Sequence, residues 1–416
     1  MPARSHALST AALLGAALLA AACGGGGGEG DGAVPGAGGP SPATPGSPDF
    51  VPTTAALTVT ELATNLPNPW SLAFLPDGRM LVTGRTGVLR LYAADAGSFQ
   101  SIGGLPSVAS AGQGGLLDVA IDPAFASNRR IYLSFSESDS GNATLNGTAV
   151  ARAELDTTGA TLANLQVIYR QTPKVASSGH FGSRLVFDRE GHLFVTMGDR
   201  QNSDQRPYAQ DLSRGNGKVV RITTAGAAAP GNPSLSGAQA GLWSYGHRNP
   251  QGAALHPDTG ELWTSEHGPQ GGDEVNLTQA GRNYGWPVIS HGQEYGTTTP
   301  VGEGTAKAGM EQPVAFWETI DGSAWSGGQK SSIAPSGLAF FTADEPAHWR
   351  GSLFVGALAG QALWRLQLDG ARVVGRERLL AARGERIRDV RQGPDGRLYL
   401  LTDGAVGKLL RITGGG

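Results

Sequence analysis

The sequence predicts an all-β protein, a six-bladed β-propeller, on three observations. Glycine supplies 64 of the 416 residues and proline 25, and both recur along the whole chain. A short apolar strand, a tight turn and a second strand ending in small polar residues repeat six times from about residue 66 onward. No amphipathic helical period of useful length interrupts them. Many short strands between Gly- and Pro-rich turns suit a sandwich or a propeller. The same hairpin restated in each unit favours stacked blades around a channel.

The first copy is Ser71 to Leu75, the turn Pro76-Asp77-Gly78-Arg79, and Met80 to Thr83. Proline presets φ there, aspartate bonds locally and glycine accepts positive φ. The second is Leu116 to Ile121, a turn at Asp122-Pro123, and Ile131 to Phe135; the third is Arg184 to Phe187 and His192 to Met197. The fourth is Gly252 to Leu255 and Glu261 to Ser265, and the fifth is Gly337 to Phe341 and Ser352 to Gly356. The last is Asp389 to Gln392, the turn Pro394-Asp395-Gly396, and Arg397 to Thr402.

Residues ahead of this array have a different character. Met1 to Thr10 carries Arg4 and no acid, Ala7 to Ala22 is apolar, and Cys23, the one cysteine, follows at once. This is a signal peptide with cysteine at its cleavage point, and residues 1–23 resemble a bacterial lipoprotein signal. An ordinary signal with an incidental cysteine is the alternative. The run is too short to span a bilayer, so the expected membrane link is a lipid anchor at Cys23 on an exported, periplasmic or cell-surface protein. Residues 24–49 are Gly, Pro, Ala, Ser and Thr with Glu29 and Asp31, and they cannot bury enough apolar area to order. They read as a tether, with the folded domain at 50–416. A formal net charge of −3 with scattered basic residues excludes a nucleic-acid footprint.

Four segments could carry chemistry. His180 sits among small residues in Ser177 to Arg184, where an imidazole suits general-base work. Arg248, in Ser244 to Gly252, is a permanently charged fork able to stabilise a developing oxyanion. Ser265 to Glu274 is poor in side chains, so its carbonyls can face a cation, and Asp273 and Glu274 supply the hard oxygen that calcium prefers. Strand alternation puts Arg386 and Arg388 on one face, where their repulsion calls for acids or for a polycarboxylate ligand. Gly215-Asn216-Gly217-Lys218 lacks the Ser/Thr and glycine spacing of a P-loop, and no Gly-x-Ser-x-Gly elbow stands out.

Taken in this order, with Asn68-Pro69-Trp70, Gly112 to Asp118 and Ile333 to Gly337, these segments resemble the glucose and sorbosone dehydrogenase family of quinoprotein propellers. The resemblance runs from about Leu62 to Ile412 and points to its soluble aldose dehydrogenase branch. It implies oxidation of an aldose at its anomeric hydroxyl, with pyrroloquinoline quinone and calcium as cofactors and an external electron acceptor. It implies His180 as the base and Arg248, accompanied by Asn249, beside the quinone oxygen. It puts His267 in the cofactor pocket, with Asp273 in the same loop as support for the histidine. Gly268 and Pro269 match the residues whose carbonyls hold the cofactor's calcium, and Glu274 and Tyr284 match a second, structural calcium site. Arg386 and Arg388 match the pair that binds cofactor carboxylates, with Thr402 nearby.

The sequence departs from that pattern at Ala359, where some members carry a cofactor-binding lysine, and Lys330 is a possible substitute. Two rival functions stay open. A calcium-dependent lactonase would need acids and amides converging on one metal in the channel, and a binding propeller would need no catalysis.

Overall fold

In the computed structural model the described residues are 57–93 and 97–414. The signal segment 1–23, the tether 24–49 and the expected domain start at Phe50 lie outside them. Six four-stranded antiparallel sheets follow one another along the chain. Each of the six sequence hairpins forms the two inner strands of one blade.

Blade 1 comprises Pro69–Phe74, Met80–Gly84, Val88–Ala93 and Ser98–Ile102 from the channel outward. Blade 2 is Leu116–Ile121, Arg130–Ser138, Asn146–Asp156 and Thr161–Arg170. Blade 3 is Leu185–Phe187, Leu193–Met197, Lys218–Ile222 and Leu242–Tyr245. Blade 4 is Pro250–Leu255, Leu262–Glu266, Asp273–Leu277 and Ala315–Trp317. Blade 5 is Pro335–Phe340, Leu353–Ala357, Ala362–Asp369 and Arg372–Leu379. Blade 6 takes Ile387–Gln392, Leu398–Thr402 and Gly407–Thr413 from the C-terminal end. Its outermost strand is Thr58–Leu66, which pairs with the last strand from Thr58 opposite Thr413 to Leu66 opposite Gly407. Six first strands contact one another in a closed ring, blade 6 meeting blade 1.

Burial is organised by interface rather than around one centre. Six apolar clusters each join two adjacent blades: Leu81 and Leu89 of blade 1 with Leu133 and Ala151 of blade 2, for example, or Trp263 and Trp317 of blade 4 with Val355 and Trp364 of blade 5. This is why second strands of the blades, such as Leu193–Met197, Leu353–Ala357 and Leu398–Thr402, are buried on both faces and read as nearly continuous apolar runs. Closure by Thr58–Leu66 adds the sixth interface, where Leu66 packs with Leu72, Val82 and Leu409.

The first strands also build a polar waist across the channel. Arg184 Nη1 lies 3.1 Å from both Asp118 Oδ1 and Asp389 Oδ1. Arg391 reaches the same two acids at 3.1 Å each. Ser71 Oγ donates to Asp118, and the amides of Leu72 and Leu185 donate to Asp389 and Asp118 at 3.0 and 2.7 Å. Blade 5 has Gly337 at this level because a Cβ would lie 2.3 Å from Asp389 Oδ1. No helix of the described residues is long and apolar enough to cross a membrane.

Candidate active site

Each first strand starts at one end of the channel, and the loops that deliver it gather the candidate residues there, at the mouth. His180 ends such a loop with φ of +48°, a left-handed conformation unusual for a residue with a side chain. Its amide donates to Gln113 Oε1 at 3.0 Å. A Cβ at Gly198 would sit 2.2 Å from the His180 carbonyl oxygen, so glycine lets the following segment close against this loop. That segment ends in Asp199, whose Oδ1 takes the His180 Nδ1 proton at 2.6 Å, while Oδ2 accepts from Trp286 Nε1 at 2.7 Å.

Asp199 is fully buried, and burial opposes its ionisation. His180, the bond between them and Arg248 outweigh that and hold the carboxyl below its usual value. For His180 burial is the largest influence and lowers the imidazole's pKa, Arg248 adds to it, and Asp199 offsets only part. The imidazole is therefore neutral near pH 7, with Nδ1–H donated and the Nε2 lone pair left to accept a proton. Sequence reasoning passed over Asp199; its signal was an acid two residues after a strand that ends at Met197 on the mouth side.

Arg248 and Asn249 lie just ahead of the first strand of blade 4. Arg248 is anchored by its amide, which donates to Glu266 Oε2 at 2.7 Å, and its Nη1 donates to the carbonyls of His267 and Gly268 at 3.1 and 2.5 Å. Its guanidinium stands 5.1 Å from the Trp286 ring centre and donates to the Tyr295 hydroxyl at 3.2 Å. Asn249 Oδ1 accepts from Gly182 N at 3.1 Å, tying the histidine loop to this one. His267 is half-buried with its Nε2 enclosed; burial first, then the charges of His180, Arg248 and Arg388, hold its imidazole well below the usual value.

Asp273 does not support a histidine. Its carboxylate accepts from Gly268 N, Ser332 Oγ and Ala334 N, clamping the 268–272 turn to the strand entry of blade 5. The acid that contacts an imidazole in this turn region is Glu266, another residue missed in the sequence, with Oε1 3.0 Å from His247 Nδ1. Glu266 is directly opposite Glu274 across two paired strands, and both face Asn276 Nδ2, at 2.9 and 3.1 Å. Burial, then the Glu266 charge, pushes Glu274 up to about 8.

A small cavity of about 20 Å³, room for one water-sized sphere, is lined by these two acids, Gly268, Pro269 and Tyr284 among others. Two carboxylates on so small a space fit a hard cation. The Tyr284 hydroxyl is already bonded to Leu277 O and Gln279 N, so its backbone carbonyl is what it can offer.

Arg386 and Arg388 do share a face, and Asp403 bridges them, at 2.9 Å to Arg386 Nε and 3.1 Å to Arg388 Nη2. Arg388 Nη1 also donates across the channel to Gln251 Oε1 at 2.8 Å. Thr402 stands in the same corner, opposite Ile387, with its hydroxyl accepting from Lys408 N. Lys330 is turned away to Glu318 and the His291 carbonyl, both at 2.6 Å. Ala359 sits in the turn after the second strand of blade 5, its amide bonded to Ile333 O. The rejected phosphate-loop segment has a structural use: buried Lys218 donates to three carbonyls, and Asn216 Nδ2 holds the Asp199 carbonyl at 3.1 Å.

Around this mouth four buried polar atoms have no partner within the protein: Arg85 Nε, Arg248 Nε, Asn249 Nδ2 and His267 Nε2. Unmatched buried donors cost about 1–3 kcal/mol each, so their concentration beside a neutral imidazole marks a ligand site. A six-bladed ring with such a mouth is the architecture of propeller oxidoreductases, and the chain belongs to the glucose/sorbosone dehydrogenase family, which it matches over residues 66–411.

Among its relatives is the aldose sugar dehydrogenase YliI of Escherichia coli, 45% identical over 86% of this chain and 93% of that one. The crystal structure of the soluble aldose sugar dehydrogenase from E. coli, in the apo form, has a TM-score of 0.79 at 43% identity, over 86% of this chain and 99% of that one. The aldose sugar dehydrogenase of Streptomyces coelicolor, solved in its PQQ-bound form, has a TM-score of 0.70 at 29% identity, over 87% and 99%.

Proposed function

We propose that the chain oxidises the anomeric C–OH of aldose sugars to lactones, using pyrroloquinoline quinone with calcium at the mouth of the channel. The observation that carries this reading is the set of unmatched polar atoms around a neutral imidazole already polarised by a buried carboxylate. When bound, the quinone with its calcium supplies the electrophile for the hydride on the sugar's anomeric carbon.

The chain's own residues do the rest. His180 Nε2 takes the hydroxyl proton, and Asp199 keeps the ring in the required tautomer and offsets the charge it gains. Arg248 and Asn249 place donors where negative charge develops. Gly268 and Pro269 offer backbone carbonyls to the cofactor's calcium, and Arg248, which now caps the Gly268 carbonyl, must release it for that purpose. Arg386, Arg388 and Thr402 face the anionic side of the ligand, and His267 gives the pocket its buried wall. Glu274, with Glu266 and the Tyr284 carbonyl, fits a structural calcium.

The lactonase alternative gains no support from the channel, where Asp118 and Asp389 are matched by two arginines. The reading extends to export: residues 1–23 as a lipoprotein-type signal, 24–49 as a tether and 50–416 as the catalytic domain, with electrons leaving to an external carrier. Radiolabelled palmitate incorporation, lost in Cys23→Ser, tests the anchor.

Reconstitution tests the activity. The apoprotein is loaded with quinone and calcium, and dye reduction is followed over a panel of aldoses. Turnover that needs both cofactors supports the reading, and lactone hydrolysis without quinone would replace it.

A further inference from the structure

Arg85 follows the second strand of blade 1, and beyond its unmatched Nε at the mouth it has been given no role. Its Nη1 donates to the Gly112 carbonyl at 2.6 Å, and its Nε is buried with no partner. The adjoining Gln113 accepts the His180 amide and donates its own amide to Ser178 O at 2.8 Å, so Arg85 stands against the loop that carries the base. A Cβ at Gly115 would lie 1.8 Å from the Arg85 carbonyl oxygen, which shows how closely the two loops are packed there.

Across the seam between blades 1 and 6 stand Arg386 and Arg388. Both bond to Asp403, whereas Arg85 is bonded to a backbone carbonyl. The Arg85 amide donates to Asn68 O at 3.0 Å and the Asn68 amide to Gly404 O at 2.9 Å, so the Arg85 loop is joined to the loop that carries Asp403, and the three guanidinium groups border one corner of the mouth with a single carboxylate between two of them. Arg388 feels the crowding: burial is the main cause that holds it below the usual arginine value, Asp403 opposes this, and the charges of Arg85 and Arg386 act in the same direction as burial. Positive charges are held this near to one another at low cost only when an anion joins them. The blade 5 side of the mouth has little to add, since Ala359 is uncharged and Lys330 is committed to Glu318.

We propose that Arg85 is the third cation of an anion cradle at the mouth and contacts a carboxylate of the bound quinone, a role that rests on the functional reading above. A carboxylate there would accept from the Arg85 Nε that is now unmatched and would share its charge with Arg386 and Arg388. It would also position the ligand against the His180 loop, because the same side chain bonds Gly112.

The test is equilibrium binding of pyrroloquinoline quinone to the full-length apoprotein with calcium present, read by quenching of tryptophan fluorescence. Wild type, Arg85→Lys and Arg85→Gln are compared at about 50 mM and 500 mM sodium chloride, where the screening length falls from roughly 14 to 4 Å. The proposal expects Arg85→Gln to bind about 10-fold more weakly at low salt. It also expects the gap to narrow at high salt and Arg85→Lys to recover most of the loss. Equal binding by Arg85→Gln would overturn it. So would a loss of the same size at both salts and in both variants, because that pattern belongs to a residue that only shapes the loop. Absence of quinone binding by wild type would instead remove the cofactor reading itself, and the cradle with it.

Discussion

At the waist of the channel Asp118 and Asp389 meet Arg184 and Arg391, two charges of each sign, with backbone amides and Ser71 adding hydrogen bonds. At the mouth, reached along the same first strands, Arg85, Arg386 and Arg388 have Asp403 among them, and four buried polar atoms go unmatched. Both regions are polar and both are buried, so polarity alone does not separate structure from function. Charge balance does. The waist matches its charges within the chain, although Arg184 Nη2 and Asp389 Oδ1 lack a hydrogen-bond partner, and fastens blades to one another, whereas the mouth leaves positive charge for something else to match.

The sharpest way to break the comparison is to exchange the expected consequences of mutation. At the mouth, His180→Ala should lower turnover of the reconstituted enzyme by about 10²- to 10⁴-fold, with quinone binding and melting temperature little changed. At the waist, Asp118→Ala leaves buried Arg184 and half-buried Arg391 to share Asp389 alone and should cost about 3–5 kcal/mol of stability by chemical denaturation. A waist variant with wild-type stability, or a mouth variant that unfolds instead of losing turnover, would show that the two regions do not differ in kind.

A smaller effect sharpens the same contrast at the Glu266–Glu274 pair. The facing carboxylates of buried Glu266 and half-buried Glu274 lack the arginine partners that the waist acids have, so a cation that joins them should stabilise the fold. Calcium at about 100 times its dissociation constant should raise stability by about 2.7 kcal/mol. Glu274→Gln should lose most of that response while keeping its calcium-free stability. A melting temperature that ignores both calcium and chelator in wild type would remove the structural cation site.

The blades were legible because each interface repeats one demand, two apolar strands joined by a turn that needs Pro, Asp and Gly, and all six hairpins coincide with the first two strands of a blade. Closure was not. Thr58–Leu66 has an exposed and alternating face, and its partner lies more than 340 residues away, so no local pattern announces the pairing. The candidate site was legible where an unusual loop carries its residues, as at His180 and Arg248, and silent where the geometry depends on a neighbour in space. Asp199, Glu266 and Asp403 are single acids at strand ends, like many others in the chain, and only the ring of blades brings them to His180, Glu274 and the arginine pair. Asp273 was misplaced for the same reason. Proximity to His267 in sequence suggested a partner, but the turn directs its carboxylate to Gly268, Ser332 and Ala334.

The smallest expected effect concerns pH, and it tests the His180–Asp199 pair by sign as well as size. Burial and Arg248 depress the imidazole pKa, and Asp199 opposes them without prevailing. A base works in its neutral form, so kcat at saturating quinone should hold across neutral pH and fall only as pH drops through a value below the ordinary 6.5. Between that value and 6.5 the unfolded chain binds the proton that the folded chain refuses, so the His180 contribution makes stability rise with pH over the same interval. Asp199→Asn removes the one influence that raises this pKa. Its acid limb should therefore move to still lower pH, even as the plateau of kcat drops because the ring loses its fixed tautomer. A limb that moved upward in Asp199→Asn would mean that the carboxylate is not the partner of the catalytic imidazole, and the mouth would then need a different base.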